Sequence, residues 1–378
     1  MKIGIVVPFS WSFWGAVVEH AELQAQALME RGHDVRIVMA NDPPGQFTRM
    51  LHPRVGRHGA PPEHVIPVGR SVIVPANGSL PNIALSPRTL FRVRTVLQRE
   101  RFDLLHLHEP MTPAICIAAL IFATEPIVTT HHASGELGWL KLGKPGWGFL
   151  MDRVDQRIAV SERARDSADR WFGGPWEVIP NGVLIPDEAD PAGREHSVVF
   201  AGRQEPRKGL QVLLRAWPSI HARTGATLRI AGADPLAVRL LLTRLRLPED
   251  GIEILGFLSQ DALTALLAST KALVAPSLGG ESFGMVLTRA FACATPVVAS
   301  DIEGYRDVVS SETAVSAPPD DPAKLADAVV GLLADEPRRA RMGAAARAVA
   351  LERYAWPDIA ARLEAVYERA VARPRVAA

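Results

Sequence analysis

Cysteine is nearly absent. The 378-residue chain holds only Cys116 and Cys293, far apart and each inside an apolar stretch. That excludes a disulfide framework and a cysteine-based metal site, and it predicts buried thiols in a reducing cytoplasm. Long hydrophobic runs are also missing. Met111–Thr124, 14 uncharged residues, is too short for a bilayer and is broken by Pro113. The apolar stretch Ile3–Val18 is interrupted by Pro8 and followed by Glu19, His20 and Glu22, which predicts a first strand entering a helix rather than a signal peptide. Neither charge sign dominates: 42 Lys and Arg face 41 Asp and Glu, a balance that excludes a dedicated nucleic-acid binder. There is no D-x-D and no G-x-G-x-x-G, and no His, Cys or Asp group has metal-ligand spacing. Metal-independent chemistry without a resident cofactor is the expectation.

What is present is globular: 48% hydrophobic and 22% charged residues. The chain exceeds the roughly 250–300 residues at which one core divides, so two domains are expected. Short β-branched runs alternate with helical patterns: Lys2–Val7, Asp34–Met39, Leu104–Leu107, Ile127–Thr130 and Arg157–Val160, then again from Ser197–Ala201 to Ala314–Ala317. This predicts an α/β chain of two doubly wound halves, 1–175 and 176–355, with ligands at the carboxyl ends of the strands in the cleft between them. The Pro-, Gly- and His-rich residues 41–63 read as a long mobile loop.

Two segments follow strands of the second half. In Gly202–Gly209 the turn glycine frees the backbone, while Arg203 and Lys208 offer a planar fork and a point charge to a diphosphate. A solvated basic turn would look similar. In Ser277–Val286 a Gly-rich loop opens a helix, where the backbone N–H groups of Ser282, Phe283, Gly284, Met285 and Val286 suit phosphate oxygens. Glu281 there fits sugar hydroxyls better than phosphate; a plain tight turn is the alternative. Gly15 marks a second helix start, after the first strand. His132 follows Ile127–Thr130 at a carboxyl end, and its neighbour His131 is an equal candidate.

At these residues the sequence resembles the retaining glycosyltransferases of family four, most closely the phosphatidylinositol mannosyltransferase branch. The shared stretches run in order from Asn77-Gly78-Ser79 through Leu105–Pro110, Ala159-Val160-Ser161, Ile179–Val183, Gly202-Arg203 and Glu205–Gly209 to Gly279–Gly284. The resemblance implies the GT-B fold, two Rossmann-like domains facing across a cleft, with a last helix, 356–372, returning to the first. It implies that Arg203 and Lys208 bind the donor diphosphate and that Glu281 holds the transferred sugar. Backbone at Phe283 and Gly284 would touch sugar and phosphate, His132 would lie near the reacting carbon, and Gly15-Ala16 would begin the covering loop. Four departures stand out. Arg289 replaces the family's ribose-binding Glu, and Ala16 replaces a loop Gly. Gln260 and Leu263 replace an Asp and a Lys for guanine, so the donor is GDP-mannose or a UDP-sugar. Val18, Asn82, Ala133 and Leu137 stand, uncharged, where that branch holds inositol phosphate.

Residues 49–101 carry nine Arg against two acids. Between Arg88 and Arg101, a 100° step gathers Arg88, Arg92 and Arg99 opposite Leu90, Val93 and Leu97. That is either an ordinary surface helix or a basic face for anionic lipid, which would place the protein peripherally on the inner membrane leaflet through residues 86–101. The aromatic loops Phe9–Trp14 and Gly138–Phe149 point to an amphipathic acceptor met by Phe9, Trp11, Trp14 and Trp139, with Asn77 and Ser79. The overall expectation is a metal-independent hexosyltransferase. Its rivals are a nucleotide-sugar epimerase or hydrolase, and a non-catalytic degenerate transferase acting as a partner protein.

Overall fold

The computed structural model describes residues 1–13, 15–52, 59–74, 81–133, 144–187, 189 and 193–373. The chain divides into two units, Met1–Gly182 with Trp356–Ala378, and Val183–Ala355. The first boundary lies beyond residue 175 because β9 (Glu177–Val178) still pairs with β8 (Gln156–Ala159).

The first unit is built on β1 (Lys2–Ser10), whose Ile3, Ile5, Val6 and Val7 are fully buried. Such a continuous apolar run marks a strand covered on both faces. On one side lie β2 (Asp34–Ala40) and β3 (Val65–Gly69), on the other β6 (Leu104–His108), β7 (Ile127–His131), β8 and β9, all parallel. A short pair, β4 (Val72–Ile73) and β5 (Asn82–Ile83), joins β1 antiparallel. The helices are α1 (Ala16–Glu30), α2 (Gln46–Leu51), α3 (Pro87–Glu100), α4 (Ile115–Phe122), α5 (Lys144–Met151) and α6 (Glu162–Phe172). The expected loop at 41–63 is therefore partly helical. Asp42 organises it, accepting from Ser10 Oγ at 2.7 Å and Ser71 Oγ at 2.6 Å.

The second unit repeats the plan in the order β12 (Ile252–Gly256), β11 (Thr227–Ala231), β10 (Glu195–Ala201), β13 (Thr270–Ala275), β14 (Val297–Ser300), β15 (Ala314–Ala317). All its pairs are parallel. The connecting helices are α7 (Leu210–Thr224), α8 (Pro235–Leu245), α9 (Gln260–Ser269), α10 (Met285–Ala292), α11 (Glu303–Arg306), α12 (Pro322–Ala334) and α13 (Glu336–Arg353). Asp234-Pro235 and Asp321-Pro322 start α8 and α12: each Asp caps a backbone N–H at 2.9 Å, and each Pro fills a position that needs no donor.

The last helix, α14 (Trp356–Ala372), belongs to the first unit and supplies Trp356, Ile359, Leu363, Val366 and Tyr367 to its core. In both sheets the strand order reverses beside the central strand, so chain leaving β1 and β6, or β10 and β13, reaches the switch point where such folds bind ligands.

Candidate functional site

In the second unit two loops at the switch point are locked together. After β10, Gly202 donates its N–H to Ala231 at 3.0 Å, and the chain makes a single 3-10 turn, Pro206–Lys208. Gly209 then takes a left-handed φ of 71°, pressed so closely on the Pro276 carbonyl that no Cβ fits. Leu278 N–H donates to the Arg207 carbonyl at 2.7 Å, joining the loop after β13 to the loop after β10.

Charges concentrate across this seam. Glu281 is 7% exposed, and its Oε1 pairs with Lys208 Nζ at 2.8 Å and Arg207 Nη1 at 2.8 Å. The Arg207 guanidinium also reaches Glu205 Oε2 at 2.8 Å and the Gly280 carbonyl at 3.1 Å. Arg203 pairs with Glu205 Oε1 at 3.0 Å. Three cations and two carboxylates thus share a few ångströms at the carboxyl end of the sheet. The expectation named Arg203, Lys208 and Glu281; it passed over Arg207, the residue that links both carboxylates. Ser277 Oγ sits 2.7 Å from the Tyr305 hydroxyl, and burial together with the charge of Glu281 pushes the Tyr305 phenol above its ordinary range.

Gly284, with φ 79°, opens α10 against the Tyr305 ring, and the buried Phe283 side chain meets Tyr354 edge-on at 5.6 Å. Phe283 and Gly284 therefore offer backbone rather than side chains. Ser282, Met285 and Val286 complete this helix start, each partly exposed. Arg289 lies in the last turn of α10, partly exposed. Together with Arg194 and Arg347 it works against the burial that pushes the Cys293 thiol up to about 11. Both cysteines are free and buried.

In the first unit, Gly15 caps α1 in extended conformation, and a Cβ there would find open space apart from Val18 at 4.0 Å. Ala16 is the exposed first residue of the helix, a position where alanine is favoured. The centre of this unit is a cluster of histidines. His106 and His108 on β6 stack at 4.7 Å. His106 is bonded at both nitrogens, to the Tyr367 hydroxyl at 2.6 Å and Thr130 Oγ1 at 2.7 Å. His108 Nδ1 lies 2.8 Å from His132 Nε2. His20 of α1 presents its ring edge-wise to both, with centroids 5.5 and 5.1 Å away.

Burial holds these imidazoles neutral: His20 and His106 are lowered to about 3, and His108 and His132 fall well below the ordinary histidine range. Glu109, at a left-handed φ of 51°, accepts from the backbone N–H groups of His132 at 2.7 Å and Ala133 at 2.6 Å, fixing the chain that carries His132. Burial raises the Glu109 carboxyl, and those two donors act against it. His131 points elsewhere, onto Phe172 and Trp176, which separates it from His132.

Two features add to the sequence reading. Metal-ligand spacing is absent along the sequence, yet His20, His108 and His132 bring ring nitrogens within 4.8 Å of one another. Adjacent parallel strands and the helix after β1 do what local spacing cannot. The aromatic loop after β1 is largely core: Trp11 is 7% and Phe13 2% exposed, Trp11 Nε1 donates to the Gly59 carbonyl at 3.1 Å, and Phe9 packs against the same core. Trp14, Asn77, Ser79 and Trp139 lie outside the described residues. No helix among the described residues is long and apolar enough to cross a membrane.

The fold matches sucrose-phosphate synthase from Thermosynechococcus elongatus with a TM-score of 0.76 at 20% identity, covering 98% of this chain and 99% of that one. It matches the Anabaena protein HepE, solved with UDP and glucose, with a TM-score of 0.71 at 20% identity, covering 97% and 99%. Two Rossmann-like units of this order define the GT-B class of glycosyltransferases. Within that class the chain belongs to glycosyltransferase family four: residues 17–185 match Glycosyltransferase Family 4 and residues 195–335 match Glycosyl transferases group 1. It is 35% identical to the phosphatidyl-myo-inositol mannosyltransferase of Mycobacterium leprae, over 97% of this chain and 96% of that protein. The Mycobacterium tuberculosis protein of the same name is 34% identical, over 97% of each.

Proposed function

We propose that this glycosyltransferase retains anomeric configuration and moves a hexose from a nucleotide-diphospho-sugar, GDP-mannose or a UDP-sugar, to an amphipathic acceptor at a membrane surface without a metal ion. The observation that carries this reading is the pairing of Glu281 with Lys208 and Arg207 at 2.8 Å each. Before donor binds, the carboxylate neutralises cations that a diphosphate would otherwise attract. Donor takes over Lys208, Arg203 and Arg207, and Glu281 is released to accept hydroxyls of the sugar. The acceptor hydroxyl bonds to the anomeric carbon on the face the leaving group vacates, the carbon–oxygen bond to the diphosphate breaks, and the acceptor's proton passes to the departing phosphate oxygen. The cations stabilise the charge that develops there, so no side-chain base is required. The names of the mycobacterial relatives support a lipid acceptor and mannose; the substitutions at Gln260 and Leu263 keep a UDP-sugar equally in play.

The test combines a panel of nucleotides and their sugars in thermal unfolding with a transfer assay on lipid extracts. Lys208→Ala and Glu281→Ala are each expected to lower turnover at least a hundredfold, about 2.7 kcal/mol in the barrier, while remaining folded. Folded variants with unchanged turnover overturn the assignment. Product whose anomeric configuration is inverted overturns the stereochemistry, and turnover abolished by chelation overturns metal independence.

A further inference from the structure

His106, beside the cluster, has both nitrogens bonded, at 2.6 and 2.7 Å. The rings next to it are treated differently. His20 Nδ1 and His108 Nε2 are buried with no hydrogen-bond partner among the described residues. An unpaired buried polar atom costs about 1–3 kcal/mol; because His108 turns its Nδ1, not its Nε2, toward His132, His20 Nδ1 is the orphan that a ligand at this cluster would satisfy.

The composition of the cluster says which kind. His20, His108 and His132 come from α1, β6 and the chain just after β7, and one ring nitrogen of each lies within 4.8 Å of the other two. All three are buried, and the set contains no carboxylate. Neutral nitrogen donors suit zinc, copper and nickel rather than magnesium or calcium. We propose that His20, His108 and His132 form a three-imidazole site for a divalent transition-metal ion, Zn²⁺ in the first instance, with a fourth position left for water.

Zinc–nitrogen bonds of about 2.0–2.1 Å in tetrahedral geometry place ligand nitrogens about 3.3 Å apart. The pair now at 2.8 Å opens slightly to admit the ion, and the wider separations close by about 1.5 Å at most, within reach of side-chain rotation. Glu109, holding the backbone N–H of His132 at 2.7 Å, is the support that orients His132. The site needs no part of the transfer reaction. Its consequence for catalysis does rest on the function proposed above: an ion that fixes His132 removes it from the reacting centre, so Zn²⁺ inhibits a transferase that otherwise runs without metal.

Cobalt(II) reports the site directly, because nitrogen-ligated tetrahedral Co²⁺ absorbs in the visible. Chelator-stripped full-length protein titrated with Co²⁺ is expected to take up one ion per chain with such bands, and Zn²⁺ to displace it. His20→Gln and His108→Gln are expected to weaken uptake at least tenfold, and the exposed His196→Gln to leave it unchanged. A wild-type protein that binds no Co²⁺ overturns the proposal without reference to any variant. Equal uptake by wild type and both folded variants overturns it as well, by placing the ion elsewhere. Stoichiometric binding without inhibition of transfer supports the site and counts instead against His132 at the reacting centre.

Discussion

Gly304 fixes where Glu281 sits. An added Cβ would strike the Glu281 carbonyl and come within 3.1 Å of its Cβ, and neither can yield without moving the loop after β13. Gly304→Ala is expected to weaken donor binding at least tenfold, read as a smaller nucleotide-induced rise in melting temperature than wild type shows; an unchanged rise means that the loop tolerates the shift. Lys208 and Glu281 were legible in the sequence because each follows a strand-like run and stands beside glycines that only a tight turn requires. Arg207 was not, since one cation among three looks like its neighbours until the 3-10 turn aims it at Glu281. His20 and His108 were illegible for a different reason. Their meeting with His132 depends on strand order, which local spacing does not encode.

At the scale of elements, α3 matches its 100° pattern. Val93 and Leu97 are buried, Leu90 is partly so, and Arg88, Arg92 and Arg99 are exposed. The structure adds Phe91, 66% exposed among these arginines, while Arg94 folds back over the Phe122 ring at 5.5 Å. A large ring amid cations is the composition of a helix lying on anionic lipid. At about 1 kcal/mol per arginine near such a surface, replacing Arg88, Arg92 and Arg99 together by Ser is expected to lower binding to phosphatidylglycerol vesicles more than a hundredfold in a sedimentation assay. Equal sedimentation of the triple variant and wild type would assign this face to solvent alone. Period-3.6 helices were readable because packing follows the pattern. Edge features were not: β3 contains Pro67, which an edge strand tolerates but which breaks the sequence signal. The rings of Trp11 and Phe13 gave no sign of whether they faced in or out.

For the whole molecule, the alternation of strands and helices indicated two doubly wound halves, and the structure has two units. The return of the last helix came only from the family resemblance, because an amphipathic pattern does not name the surface it packs on. That helix places Trp356, Ile359, Leu363, Val366 and Tyr367 in the first core. At about 1.5–3 kcal/mol for each buried side chain, their sum is comparable to the whole stability of a domain, about 5–15 kcal/mol. A chain ending at residue 355 is therefore expected to lose cooperative unfolding of its first unit while the second keeps its own transition, as calorimetry would resolve. Two transitions like those of the full chain would show that the first core closes without α14.

The two ends of the second unit meet each other: Val183 N–H donates to the Tyr354 carbonyl at 2.8 Å and Val183 bridges to Ala355. Topologically, then, this unit is an insertion within the first. On the ribosome, the strands of the first unit emerge early yet lack the surface that α14 covers until residues 183–355 have been made. At about 5–20 residues per second, that interval is roughly 10–35 s. The unit begun first is finished last, and through that wait its exposed core is the natural target of chaperones that guard nascent chains.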